Sequence, residues 1–322
     1  MNLKQINTLI EKDIKDVDRA IFNQLDSSVS LINELGSHII NSGGKRIRPI
    51  VALLSALSIG YQGRLHIINA AMIELIHTAT LLHDDVIDES RLRRGKTAAN
   101  IKFGNSSSVL VGDFIYTKVF QMMVSIGSMK IISLISETIN SIVEGEILQL
   151  INCNNVNISE ENYMNVIYRK TAHLFEAAAQ TSCIIANADP LQEKALKIYG
   201  FHIGVAFQLI DDILDYNSNI EKTGKKIGND LEEGKLTFPL LHAIQNSSLE
   251  QKKMIRIAIE QGSSDLMDQI LKIMSQYGSL EWTRKRAEYE INKAIQALRV
   301  IPENPWSDAL RSLANILVQR TY

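Results

Sequence analysis

Apolar residues recur at three- and four-residue steps along most of the chain, as in Ile6, Leu9, Ile10, Ile14 and Val17, or Leu191, Ala195, Leu196 and Tyr199. That spacing collects them on one face of a helix with 3.6 residues per turn; a strand, with its period of two, would scatter them over both faces. Alternating runs bounded by turn signals are scarce, and only 5 prolines interrupt 322 residues. The expected fold class is therefore all-α, a bundle of long helices. Its breaks should fall in stretches rich in glycine, asparagine or serine: NSGGKRIRP, GYQGR, RRGKTAANIKFGNSSS, NCNNVN, NADP, NSNIEKTGKKIGND and EEGKLTF. No composition shift or flexible linker divides the chain, so residues 1–322 read as a single domain.

Such a bundle has to account for its acids. The run DDVID at 84–88 returns as DDILD at 211–215. On a helix Asp84 and Asp88 stand one turn apart on one face, with Asp85 rotated about 100° away; Asp211, Asp215 and Asp212 repeat the pattern. Carboxylates at that spacing repel one another, so each pair calls for a cation. A calcium loop does not fit, because its glycine and terminal glutamate are missing. A di-iron bundle would need glutamates and a Glu-x-x-His pair. Mg2+ does fit, since it is bound by one or two carboxylates together with substrate phosphates. One acidic triplet alone reads equally well as a solvated helix end, but two matching triplets with apolar spacers do not.

The formal net charge of −2 gives no general attraction to nucleic acid or to an anionic membrane, so a bound anion must be held by a local cluster. GGKRIRP supplies Lys45, Arg46 and Arg48 behind two glycines; Arg93 and Arg94 follow the first acidic run. YRKTAHLF adds Lys170 and Thr171, and TGKK and EEGKLTF add Lys225, Lys226 and Lys235. Arginines suit bidentate diphosphate contacts, and lysines act as point charges. His77 lies two turns before Asp84, roughly on its face, where it reads as a phosphate donor or as a core histidine. Two cysteines, Cys153 and Cys183, make neither a disulfide framework nor a zinc site, and are expected to be free thiols. The N-terminal segment lacks the apolar core of a signal peptide, and no run approaches the ~20 apolar residues of a membrane span. A soluble cytoplasmic protein with no integral membrane segment and no nucleic-acid partner is expected.

In order and spacing, GGKRIRP, LLHDDVIDESRLRRG, KTAHLF, GVAFQLIDDILD and TGKKIGNDLEEGKLTFP resemble the trans-polyprenyl diphosphate synthases, a family of isoprenyl transferases. The resemblance implies an all-α bundle around a deep central cavity, a homodimer, and repeated addition of isopentenyl diphosphate to an allylic diphosphate with Mg2+. It implies that Lys45, Arg48, His77 and Arg94 hold isopentenyl diphosphate, and that Arg93, Lys170, Lys225 and Lys235 grip the allylic diphosphate, with Thr171 and Gln208 orienting its reacting end. It further implies that Asp84, Asp88 and Asp211 ligate Mg2+, with Asp85, Asp212 and Asp215 acting through water or from behind.

In short-chain members of that family an aromatic residue blocks the position four or five residues before the first aspartate. Here those positions are Thr80 and Ala79, both small. The next wall is expected at Met123, with Met122, on a helix face shared with Tyr116 and Val119, although methionine is also ordinary core filling. The motif wording is closest to members that extend farnesyl diphosphate to an all-trans octaprenyl chain for quinones. Terpene cyclases usually carry an Asn/Ser/Glu pattern at the second metal site, and noncatalytic partner subunits generally lose an acidic motif. This chain keeps both DDVID and DDILD.

Overall fold

The structure, a computed structural model, describes residues 1–217, 228–262 and 265–320. In chain order the first helices are α1 (Leu3–Leu9), α2 (Glu11–Leu25), α3 (Ser30–Asn41), α4 (Ile47–Ser58) and α5 (Leu65–Ile87). A hairpin of β1 (Leu92–Arg93) and β2 (Lys96–Thr97) follows, then α6 (Ala99–Phe103), α7 (Asn105–Ile126), α8 (Met129–Asn152) and α9 (Glu160–Ile167). A π-helical turn at Tyr168–Ala172 leads into α10 (His173–Ile185) and α11 (Pro190–Asn217). The rest comprises α12 (Asn229–Glu232), α13 (Phe238–Asn246), α14 (Leu249–Gln261), α15 (Met267–Gln276), α16 (Ser279–Ala297) and α17 (Pro305–Val318). The chain is all-α, and among the described residues its strands are confined to the two-residue hairpin.

One expected break is largely helical. Within RRGKTAANIKFGNSSS, Gly104 (φ 87°) turns the chain at once and α7 starts at Asn105. The run of small residues serves packing: Ser108 is fully buried, and a Cβ on Gly112 would stand 2.3 Å from His83 Nε2. Glycine there leaves room for the His83 ring of α5 against α7.

Two compact units make up the chain. The first comprises Met1–Ile139, Phe175–Lys197 and Leu298–Leu313. At its core α5 packs against α2, α4 and α7. Met72, Ile73, Leu75, Ile76, Ala79 and Leu82 are completely enclosed, so α5 is apolar nearly all round. That composition makes α5, and α7 with it, long and apolar enough to cross a membrane, against the expectation from the sequence. The most apolar stretch of α5 is 72% buried inside the protein and that of α7 33%. Part of the polar content of this core is paired: Asn69 Nδ2 donates to Ser182 Oγ at 3.1 Å, and Ser182 Oγ to the Ala52 carbonyl at 2.7 Å, while Asn69 Oδ1 and Ser55 Oγ are enclosed without a hydrogen bond.

The second unit comprises Asn140–Leu174, Ile198–Ala297 and Ala314–Tyr322. Here α13 packs against α9, α14, α15 and α16. An aromatic stack holds them, with Phe238 centred 5.1 Å from Tyr163 and 4.7 Å from Trp282, which in turn stacks on His242 at 4.4 Å. Such ring pairs add about 0.5–1.5 kcal/mol each beyond the area they bury.

Replacing fully buried Ile73 by alanine should destabilise the protein by about 2–5 kcal/mol through lost contacts and a residual cavity. Leu249→Ala, at a position 80% exposed on α14, should stay within about 0.5 kcal/mol. Urea unfolding midpoints of the two variants check both expectations.

Candidate active site

In the first unit the acidic run ends α5. The Asp88 amide donates to the Asp84 carbonyl at 2.8 Å, the last helical bond, so the two side chains share one face one turn apart as their spacing requires. Both carboxylates are half-buried. Asp85 differs: it is 1% exposed, and its Oδ1 receives both Nε and Nη2 of Arg93. Its Oδ2 is enclosed without a hydrogen bond. Arg93 leaves β1 and Arg94 (φ 53°) turns the hairpin.

The hairpin is tied to the end of α3. Lys96 Nζ donates to the Asn41 carbonyl at 2.6 Å, and His38 Nε2 to that of Thr97 at 2.8 Å. This lays the Arg94 guanidinium directly over Gly44 (φ 144°), where any Cβ would meet Nη1 at 2.4 Å. From α4, Arg48 Nη1 donates to His77 Nε2 at 3.3 Å, and its guanidinium lies 4.5 Å from the centre of the Phe175 ring. Burial, and then Arg48, Arg94, Arg93 and Arg46, hold His77 well below the usual imidazole range, so it is neutral with Nδ1 as its N–H. Lys45 is exposed beside these groups in sequence. Arg46 turns away to Glu74 at 2.6 Å, an anchor for the loop rather than part of the anion cluster.

In the second unit a cavity of about 150 Å³ is lined by Lys170, Thr171, Gln208, Asp212, Asp230 and Lys235, among others. Thr171 Oγ1 donates to Gln208 Oε1 at 2.9 Å, and Gln208 Nε2 to Asp212 Oδ1 at 3.0 Å, which fixes the amide orientation. Asp212 Oδ2 accepts from Tyr163 Oη at 2.5 Å and from the Phe238 amide at 2.8 Å. Thr237, the residue that would cap α13, has its hydroxyl on Tyr216 Oη at 2.6 Å, so Asp212 supplies the missing acceptor from α11. Burial, with Asp230 adding to it, pushes Asp212 up to about 7 against these three donors.

The other acids of this motif have separate partners. Asp211 is half-buried, with Arg320 Nη1 at 3.2 Å, and Asp215 Oδ2 accepts from the Asp230 amide at 3.4 Å. Lys235 Nζ donates to Glu233 at 2.6 Å. Lys225 and Lys226 lie outside the described residues. Asp85 and Asp212, which the resemblance sets behind the metal acids or links to the metal through water, make their hydrogen bonds with the protein. Tyr163, Glu146, Gln149, Asp230 and Arg320 were not singled out from the sequence. EGEILQL, with its acid and amide three residues apart, was the one local signal for two of them.

Among the described residues, no three histidine, cysteine, aspartate or glutamate side chains converge into a closed metal cage. Two half-exposed carboxylates at the end of α5, beside an enclosed and unbonded Asp85 oxygen, do fit a hard divalent cation that completes its shell with water and phosphate. Asp84 and Asp88 are the donors that could hold it directly.

A sequence profile described as "Polyprenyl synthetase" matches residues 29–274. Octaprenyl diphosphate synthase of Escherichia coli K12 is 58% identical over 321 residues, covering 99% of each chain. The enzyme of the same name from Haemophilus influenzae is 48% identical, covering 100% of this chain and 98% of its own. Among solved structures, a polyprenyl synthase of Caulobacter crescentus, crystallised with calcium and isoprenyl diphosphate, superposes with a TM-score of 0.96 at 39% identity, covering 100% of this chain and 98% of that one.

Tyr163→Phe should cost about 1–3 kcal/mol, the penalty for leaving a buried carboxylate oxygen one donor short. Chemical denaturation measures it. Tyr289→Phe, which removes a hydroxyl from an exposed ring outside this network, is the control.

Proposed function

The chain belongs to the polyprenyl synthetase family, and on that premise we propose that it extends farnesyl diphosphate with isopentenyl diphosphate to all-trans octaprenyl diphosphate, the side chain of a quinone. Membership makes it an all-trans polyprenyl diphosphate synthase, a transferase of prenyl groups. The observation that carries the finer reading is the convergence of Lys170, Thr171, Gln208 and Lys235 on one cavity. The profile match runs through residues of both units, which supports a single catalytic domain over 1–322.

In this reading Lys170, Lys235, Lys225 and Arg93 grip the allylic diphosphate. Lys45, Arg48, Arg94 and the Nδ1–H of neutral His77 hold isopentenyl diphosphate. Asp84, Asp88 and Asp211 hold Mg2+, with Asp85, Asp212 and Asp215 behind them. When bound, Mg2+ neutralises the departing diphosphate so that the allylic C–O bond ionises without a strong acid. The cationic side chains are placed where negative charge grows, which lowers the barrier further. Gln208 and Thr171, locked to each other, orient the reacting end. The isopentenyl double bond attacks the allylic carbon, and the proton lost from the adduct goes to the released diphosphate. Water has to be kept out, or the carbocation becomes an alcohol.

Product length is set in this reading by the α5 and α7 pair. Ala79 is fully buried and Thr80 half-buried on α5; Met123 and Met122 are each 3% exposed two turns beyond Tyr116 on α7. A soluble cytoplasmic homodimer belongs to the same reading. Cys153 and Cys183, neither of them in a disulfide, support a reducing compartment, and exposed Leu110, Phe120 and Val124 on α7 support a second copy.

Incubation with farnesyl diphosphate, labelled isopentenyl diphosphate and Mg2+ should give octaprenyl alcohol after dephosphorylation and chromatography. A cyclic hydrocarbon, or no product, would overturn the proposal. Met123→Ala should lengthen the product and Ala79→Tyr shorten it sharply; unchanged profiles from both would defeat the ruler. Asp84→Ala should lower turnover on the order of a hundredfold or more while leaving the melting temperature nearly unchanged.

A further inference from the structure

Lys170 and Thr171 do not sit on an ordinary α-helix. They occupy the π-helical turn Tyr168–Ala172, whose extra residue rotates their side chains out of the register that α9 and α10 would give them. Two helices pinch this turn. From α8, Gly145 comes so close that a Cβ would stand 2.7 Å from the Lys170 nitrogen and 2.9 Å from Arg169 Cβ. From α11, Gly204 comes closer still, its Cβ position 2.4 Å from Ala172 Cα.

The close approach of α8 brings two acceptors to one ammonium. Lys170 Nζ donates to Glu146 Oε2 at 2.5 Å and to Gln149 Oε1 at 2.7 Å. The side chains of Lys170 and Glu146 are only 22% and 21% exposed, so water screens this pair weakly. The neighbouring Glu144–Arg169 pair is more open, at 50% and 32%, and serves as a surface tie. Glu146 and Gln149 are three residues apart on α8 and so present a common face. A lysine stem has four flexible torsions, and an unheld ammonium would sample many positions at an entropic cost on binding.

We propose that Glu146 is a positioning residue for Lys170: it holds the ammonium at the edge of the cavity before substrate binds and hands it over to the charge that develops on the leaving group. The proposal rests on the reading that Lys170 grips the allylic diphosphate. As a counter-ion Glu146 also tempers ground-state binding, so its loss affects turnover and affinity differently. Glu146→Gln keeps the side chain's shape while removing its charge, and should lower kcat on the order of ten- to a hundredfold without raising KM for the allylic diphosphate. KM for isopentenyl diphosphate should be unchanged.

A double-mutant cycle with Lys170→Ala provides the test, with steady-state kinetics on the full-length enzyme and melting temperatures for every variant. Lys170→Ala alone should lower kcat and raise the allylic KM. On that background Glu146→Gln should have no further effect on kcat, because the group it positions is gone. Additive losses, or a Glu146→Gln variant with full kcat beside an impaired Lys170→Ala, would overturn the positioning role and leave the assignment of Lys170 intact. An unimpaired Lys170→Ala variant would instead remove the assignment itself, and the positioning role with it.

Discussion

Charge held in check by a partner is the constraint that organises both units. Several of the charges described above rest on an opposite one nearby: Arg93 on Asp85, Lys170 on Glu146, Lys235 on Glu233, and Asp211 near Arg320. A cluster of bare cations would repel itself, and a cluster of bare carboxylates likewise. Internal pairing lets the chain keep these groups partly out of water, where charge interactions are stronger than at an open surface.

Backbone geometry decides which way those charges point. Gly44 leaves space under the Arg94 guanidinium, and Gly145 and Gly204 admit the π-helical turn between two helices. A methyl group at any of the three would push against a guanidinium or against main chain. The hydrogen bonds that complete this geometry run between segments remote in sequence. Asp212 alone joins α9 through Tyr163 and the start of α13 through Phe238. A carboxylate so engaged acts as a structural hub, while Asp211 and Asp215 on either side of it stay half-exposed.

Beneath the acids, the first unit is built to be apolar. The α5 helix gathers its aspartates at its end and is otherwise largely core, with Glu74 buried mid-helix against Arg46, so it is apolar nearly all round. The same composition that would suit a lipid environment here lines a protein interior.

Local pattern determined a great deal. The three- and four-residue periodicity made the helices legible, and the i, i+4 spacing of Asp84 with Asp88 fixed their common face, because both follow from the geometry of a single helix. The family was legible in a different way, by the resemblance of GGKRIRP, DDVID, KTAHLF and DDILD, in order and spacing, to its motifs. Only the tertiary structure showed what Asp85 and Asp212 bond to, turned Arg46 toward Glu74, brought Tyr163 to Asp212 and Glu146 to Lys170, and placed a π-helical turn at Lys170. Those outcomes depend on which distant donor or glycine comes within 3 Å, and spacing along one helix carries no record of what packs against it.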